Sequence, residues 1–193
     1  MRPPLGTCLG QRVYRDSLIF VRWLLTALAI VTCTAQANEI GNYGVLPQDT
    51  LWVADPHAPT PLTVPGARTV TTPELRKLLQ SESRPILIDV LGSNGHRTLP
   101  GAIWLPGAGR GESFDDEIQA RLAKTLAALT GGDRTRPLVF YCASPLCWLS
   151  YNTSLRAVRL GYSDVMWYRG GIQAWGASGG ALEMPRHPWQ KPD

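Results

Sequence analysis

The segment Tyr141-Cys142-Ala143-Ser144-Pro145-Leu146-Cys147-Trp148 concentrates the reactive side chains of this sequence. Cys142 follows the apolar run Leu138-Val139-Phe140 and precedes a helical pattern from about Trp148 to Leu160. A thiol placed where a buried strand ends and a helix begins meets backbone N–H groups and a positive helix terminus. Both favour thiolate over thiol. Cys147 stands five residues on, within bonding reach if the loop curls. Two chemistries fit: sulfur transfer by one cysteine, or reversible pairing of two. Trp148 either shields the second sulfur, offers a face to a cofactor or partner, or packs on the sheet.

These residues need a scaffold, and the pattern around them predicts an α/β domain. Pro85–Val90, Ala102–Pro106, Leu138–Tyr141 and Val165–Tyr168 read as strands, the first as a continuous apolar run buried on both faces. Thr71-Thr72-Pro73-Glu74 reads as a helix start with a threonine cap and proline at the first helical position. Phe114–Leu129 and Trp148–Leu160 read as helices, stopped at Gly131-Gly132 and Gly161, and a short helix holds Trp175. Strands alternating with helices predict one domain with a mostly parallel central sheet flanked by helices. Ligands of such sheets bind beyond the carboxyl ends of the strands, where Cys142 falls. Asp89 ends a strand at the same edge, and hydrogen bonding to loop amides is its expected role. His96 is expected as a solvated loop histidine. Arg110 and Arg169 lie in loops flanking the cysteines and receive no role. Residues 38–68, rich in Pro, Gly and Thr, read as an irregular N-terminal arm packing Trp52 onto a domain spanning 69–185, with a tail from 186 to 193.

The 193-residue chain has room for one domain and a targeting segment. Residues 1–37 carry Arg2, Arg12, Arg15 and Arg22, an apolar core from Trp23 to Val31, and the small-x-small site Ala35-Gln36-Ala37. They read as a cleavable export signal. The core is too short for a stable span, which takes about 20 residues. Cleavage would remove four arginines and one aspartate, taking the formal net charge from +4 to about +1. No basic patch then argues for nucleic acid. Cys8 and Cys33 would leave too, so Cys142 and Cys147 would remain to meet an oxidising, periplasmic compartment. With the histidines at 57, 96 and 187 scattered, no metal-ligand spacing exists, and no resident cofactor is expected.

In order and spacing, several pieces resemble the rhodanese-like family. They are Ile88-Asp89-Val90, Leu99-Pro100-Gly101-Ala102, Val139-Phe140-Tyr141-Cys142, and Gly161-Tyr162 with Val165, Gly170-Gly171 and Trp175. A narrower resemblance rests on Leu105-Pro106-Gly107-Ala108-Gly109, Leu129-Thr130-Gly131-Gly132-Asp133, Cys147-Trp148 and Trp167-Tyr168. It points to the exported rhodanese-like proteins known as PQQ-dependent catabolism-associated CXXCW motif proteins. That resemblance implies a periplasmic setting beside quinoprotein alcohol oxidation, with a quinoprotein dehydrogenase or cytochrome as partner.

The rhodanese resemblance implies that Cys142 is the sulfur acceptor and that Cys142, Ala143, Ser144, Pro145, Leu146 and Cys147 form its loop. In active sulfurtransferases such a loop curls so that N–H groups stabilise thiolate and persulfide. Here Pro145 stands where a glycine is expected and has no N–H. Cys147 stands where an arginine is common, and Leu91 replaces the arginine that often follows the strand-end aspartate. The spacing is C-x4-C-W, with Ser144 where a CXXC pattern would need cysteine. The reading is a modified loop in which Cys142 takes up sulfur or is oxidised and Cys147 resolves it, a small sulfur-containing anion being one donor. The alternative is a non-catalytic periplasmic accessory that uses the same pocket to bind a partner.

Overall fold

The computed structural model describes residues 38–186. The expected signal with Cys8 and Cys33, and the tail from residue 187, lie outside the described residues. The elements run β1 (Arg68–Val70), α1 (Thr72–Gln80), β2 (Ile86–Asp89), β3 (Ile103–Trp104), α2 (Glu117–Thr130), β4 (Leu138–Tyr141), α3 (Trp148–Arg159), β5 (Val165–Tyr168) and α4 (Gly171–Ala177). The strands form one parallel sheet in the order β1-β5-β4-β2-β3. This is the expected α/β architecture.

Strand β4 lies at the centre, and all four of its residues are buried. Side chains alternate across the sheet. Leu138 and Phe140 point to one face, with Ile88, Val165, Leu122 and Leu126 of α2, and Leu149 and Ala157 of α3. Val139 and Tyr141 point to the other, with Val70, Leu87, Met166, Leu75 of α1 and Trp175 of α4. Helices on both faces explain why β4 is apolar without a break. A third cluster joins Val64, Trp148, Tyr151, Leu155 and Trp167, and the arm's Trp52 packs against it.

Three local differences from the sequence pattern have physical causes. The second predicted strand shortens to Ile103–Trp104. Leu105 still donates to the Asp89 carbonyl, and Pro106 has no N–H to continue the ladder. Residues 68–70 join the sheet edge as β1, too short a strand to show a period. Helix α1 starts at Thr72, so Pro73 is its second residue. The Glu39 carboxylate accepts the Thr72 N–H at 3.0 Å and the Thr72 hydroxyl at 2.7 Å, satisfying one more orphan donor than the local sequence provides.

The far end of the domain is held by Arg156, fully buried on α3. Its guanidinium donates to Asp116 (3.0 and 2.7 Å), the Gln119 side chain, and the carbonyls of Ser113 and Arg110. Asp116 also caps α2 by accepting the Gln119 N–H. Burial raises the Asp116 pKa, and these hydrogen bonds more than offset it, leaving a net lowering. Arg156→Met strands the partly buried carboxylate and frees the 110–116 turn. It should cost about 3 kcal/mol in urea unfolding, with unchanged circular dichroism if the topology survives.

Candidate active site

Strand β4 delivers Cys142 to the carboxyl edge of the sheet, and Cys147 is the cap residue of α3. The two are joined by a disulfide with Cα atoms 6.2 Å apart, and each residue is 1% exposed. The loop between them is fixed from outside. Its Cys142 carbonyl accepts from Ile172 N–H at 3.0 Å, and its Ala143 carbonyl from Gln173 N–H at 2.9 Å. Gly171 makes that approach fit: its φ is +62°, and a Cβ there would lie 2.3 Å from the Cys142 oxygen. The Pro145 carbonyl accepts both the N–H and hydroxyl of Thr60, at 3.2 and 2.7 Å. Leu146 is the exposed member of the loop, at 43%.

Some donors in and just after this loop are missing or committed elsewhere. Pro145 has none, the Leu146 N–H bonds the Ser144 hydroxyl at 3.2 Å, and the Trp148 N–H bonds the Pro56 carbonyl at 2.9 Å. A ring of N–H groups around one sulfur would therefore lack the donors of residues 145 and 146. What the geometry supplies instead is a second sulfur. The chemistry available is cleavage and closure of the Cys142–Cys147 bond.

The N-terminal arm covers this pair. Trp52 stacks on Trp148 with ring centroids 4.4 Å apart and planes 12° apart. Asn152 pairs with the Trp52 backbone in both directions, and Tyr151 does the same with Gln48. The Trp148 indole N–H reaches the Pro59 carbonyl at 3.1 Å. Asn152 also donates to the Gly109 carbonyl, and Gly109 packs so tightly on α3 that a Cβ would fall 1.9 Å from the Leu149 oxygen. Arm, 109 turn and cysteine loop thus meet at the first turn of α3. A cleft of about 180 Å³ lies there, lined by Trp52, Pro56, Gly109, Arg110, Trp148 and Leu149. Arg110 is exposed beside Gly92. A larger cleft of about 580 Å³ opens between Asn38–Ile40, α1 and α4 and is not lined by either cysteine.

Asp89 does not face the sulfurs. It shares the opposite face of the sheet with Tyr141, where its Oδ2 accepts the Thr98 hydroxyl at 2.6 Å and its Oδ1 accepts the Leu91 N–H. The Tyr141 hydroxyl in turn lies 2.6 Å from Thr98 Oγ1, and burial raises its pKa, so it stays a donor. His96 is not the solvated loop residue expected from sequence. Its Nε2 lies 2.6 Å from Asp89 Oδ2 and its Nδ1 2.8 Å from the Ser93 carbonyl. Both partners are acceptors, so both nitrogens donate and the ring is an imidazolium. The Asp89 hydrogen bond raises its pKa against the lowering by burial. Arg169 is likewise buried, held by Thr60 and the Glu39 carbonyl. Neither role was legible locally: the His96 pair depends on how a Gly-rich loop folds back, and the Arg169 bonds span 109 residues or more.

A family model described as rhodanese-like domain matches residues 71–178, more than half of the chain. The chain belongs to the rhodanese family. No curated protein matches this rhodanese-like chain. Among solved structures it is similar to EanB complexes with hercynine, at 23% identity and TM-score 0.46 in one and 22% and 0.47 in another. It covers 61% of itself in both and 32% and 31% of those chains. It is also similar to a thiosulfate sulfurtransferase from Pseudomonas aeruginosa, at 21% identity and TM-score 0.46, over 63% of this chain and 21% of that one. The rhodanese-like chain thus spans about a third or less of these structures.

Two measurements test the site's construction. Gly171→Ala should lower stability by about 2–3 kcal/mol in urea, because it combines a left-handed residue with a clash against the Cys142 carbonyl. For His96, the folded-state pKa lies above the unfolded value of about 6.5. Its contribution is therefore complete below about pH 6.5 and is lost as pH rises through the folded value. Unfolding free energies across that range should fall with pH in the native sequence and lose this component in His96→Asn. Identical pH profiles would show that His96 is not held as an imidazolium.

Proposed function

We propose that this protein is an exported thiol–sulfur protein in which Cys142 accepts sulfane sulfur and Cys147 releases it by forming the disulfide. The observation that carries the reading is the bridged, buried cysteine pair at the rhodanese loop. With thiosulfate as donor, the Cys142 thiolate attacks the outer sulfur, the S–S bond of thiosulfate breaks, and sulfite leaves with its electron pair. Cys142 is then a persulfide. The Cys147 thiol attacks the Cys142 sulfur as its proton passes to the departing group, and hydrosulfide leaves. The sulfane sulfur gains two electrons and the two thiols lose them, so each cycle ends at the disulfide. An external dithiol reductant resets the pair.

Membership of the rhodanese family supports the sulfur-acceptor role of Cys142. The signal-like residues 1–37 support export. The resemblance to the CXXCW motif proteins supports a place beside periplasmic quinoprotein alcohol oxidation, with a dehydrogenase or cytochrome as partner and pyrroloquinoline quinone as that partner's cofactor. A second reading, a non-catalytic accessory module, is favoured by the 1% exposure of both cysteines.

The readings separate in a single-turnover experiment. Reduced protein mixed with thiosulfate should yield one equivalent each of sulfite and sulfide per protein, together with the Cys142–Cys147 disulfide. Cys147→Ser should stop at a persulfide on Cys142 with sulfite released and no sulfide, and Cys142→Ser should release neither. Absence of sulfite from every form with thiosulfate, together with no Cys142 persulfide in Cys147→Ser treated with polysulfide, would leave the accessory reading.

A further inference from the structure

Arg169 is a guanidinium taken out of water without an acid paired to it. It is 1% exposed, and its nitrogens donate to the Thr60 hydroxyl (3.1 Å), the Thr60 carbonyl (3.0 Å) and the Glu39 carbonyl (2.8 Å). The Tyr43 ring centroid is 5.1 Å from its Cζ. Among the described residues, no carboxylate oxygen lies within 4.0 Å of it. A buried cation met only by neutral dipoles is destabilising unless an anion nearby compensates it.

A group that can become anionic lies in the adjoining cysteine loop. Tyr141 and Tyr168 are partners on neighbouring parallel strands and share one face. Cys142 and Arg169 each come one residue past these partners, at the same carboxyl edge of the sheet. Thr60 links the two: its hydroxyl accepts from Arg169 and donates to the Pro145 carbonyl inside the cysteine loop. Other charges are turned away or occupied. The Glu39 carboxylate, against Gly170, is bonded to Thr72, and Asp89 with His96 lies on the Tyr141 face. Arg156 is paired with Asp116, Arg110 is exposed by Gly92, and the first turn of α3 contains no acid.

We propose that Arg169 is the cation that stabilises Cys142 as thiolate and as persulfide, taking the place of the loop arginine that this chain lacks. It is a positioning residue that acts through the Cys142 sulfur, and it rests on the reading of Cys142 as sulfur acceptor. When hydrosulfide departs, the negative charge leaves and the bridged state holds Arg169 without its anion. Reduction restores the pair. The same charge therefore favours both sulfur uptake and resetting of the disulfide.

The test needs no sulfur donor. In a Cys147→Ser background, the pH dependence of iodoacetamide alkylation at Cys142 is followed by mass mapping. Arg169→Gln or Arg169→Met, whichever folds, should raise the midpoint by about one pH unit or more. Arg169→Lys should hold it near the parent value. With both cysteines present, the neutral variant should shift equilibrium with a dithiol buffer about tenfold toward the disulfide, a change of about 30 mV. An unmoved midpoint overturns the proposal, and so does an equal shift in Arg169→Lys, which would assign the effect to the lost guanidinium hydrogen bonds rather than to the charge. Persulfide formation is scored separately. A charge-dependent midpoint without persulfide rejects sulfur uptake and retains the thiolate partner, whereas persulfide with an unmoved midpoint does the reverse.

Discussion

Everything at this site depends on the anchoring of three carbonyls in one short loop. Cys142 and Ala143 give theirs to the N-terminus of α4, and Pro145 gives its own to Thr60 of the arm. With its oxygens held from two sides, the loop has little freedom to turn its amides inward, and Pro145 removes one amide outright. The same anchoring sets the curl that places the two Cα atoms 6.2 Å apart, inside the range a disulfide requires. The loop is built to close on itself.

The two faces of the sheet divide the work. On one, Tyr141 and Tyr168 each meet a threonine that donates to a carboxylate, Asp89 in one case and Glu39 in the other. These chains are made of buried, satisfied groups, and they hold the β2–β3 loop and the start of the arm in place. On the other face lie Cys142 and Cys147, and Arg169 sits buried at the same edge of the sheet. The polar network fixes the frame, and the reactive face is left with a cation whose anion comes and goes.

Most of the frame was legible in the residues. The unbroken Leu138–Tyr141 run could only be a central strand covered on both faces, and Gly131 and Gly161 marked helix ends because few other residues turn a chain there. The cysteine pair was legible for the same reason, since its place follows from that strand and the helix beginning at Trp148. What sequence did not show depends on single side chains meeting across long separations. Asn152 and Tyr151 select the path of the arm through bonds to Trp52 and Gln48, with no period or composition to announce them. Arg169 reads as a loop arginine in the sequence, and only its burial with bonds to Thr60 and the Glu39 carbonyl shows otherwise. His96 was misread because its partner, Asp89, is reached only after the Gly92–Gly95 loop folds back.

The central claim is that Cys142 and Cys147 form a reversible redox pair within the native fold. The direct measurement is equilibration of the folded protein in graded dithiol–disulfide buffers, followed by acid quenching and mass mapping of both cysteines. The account predicts one two-electron transition between a dithiol and a Cys142–Cys147 disulfide, reached from either direction with the domain still folded. Two unpaired thiols at every poise, or a disulfide that opens only on unfolding, would contradict it.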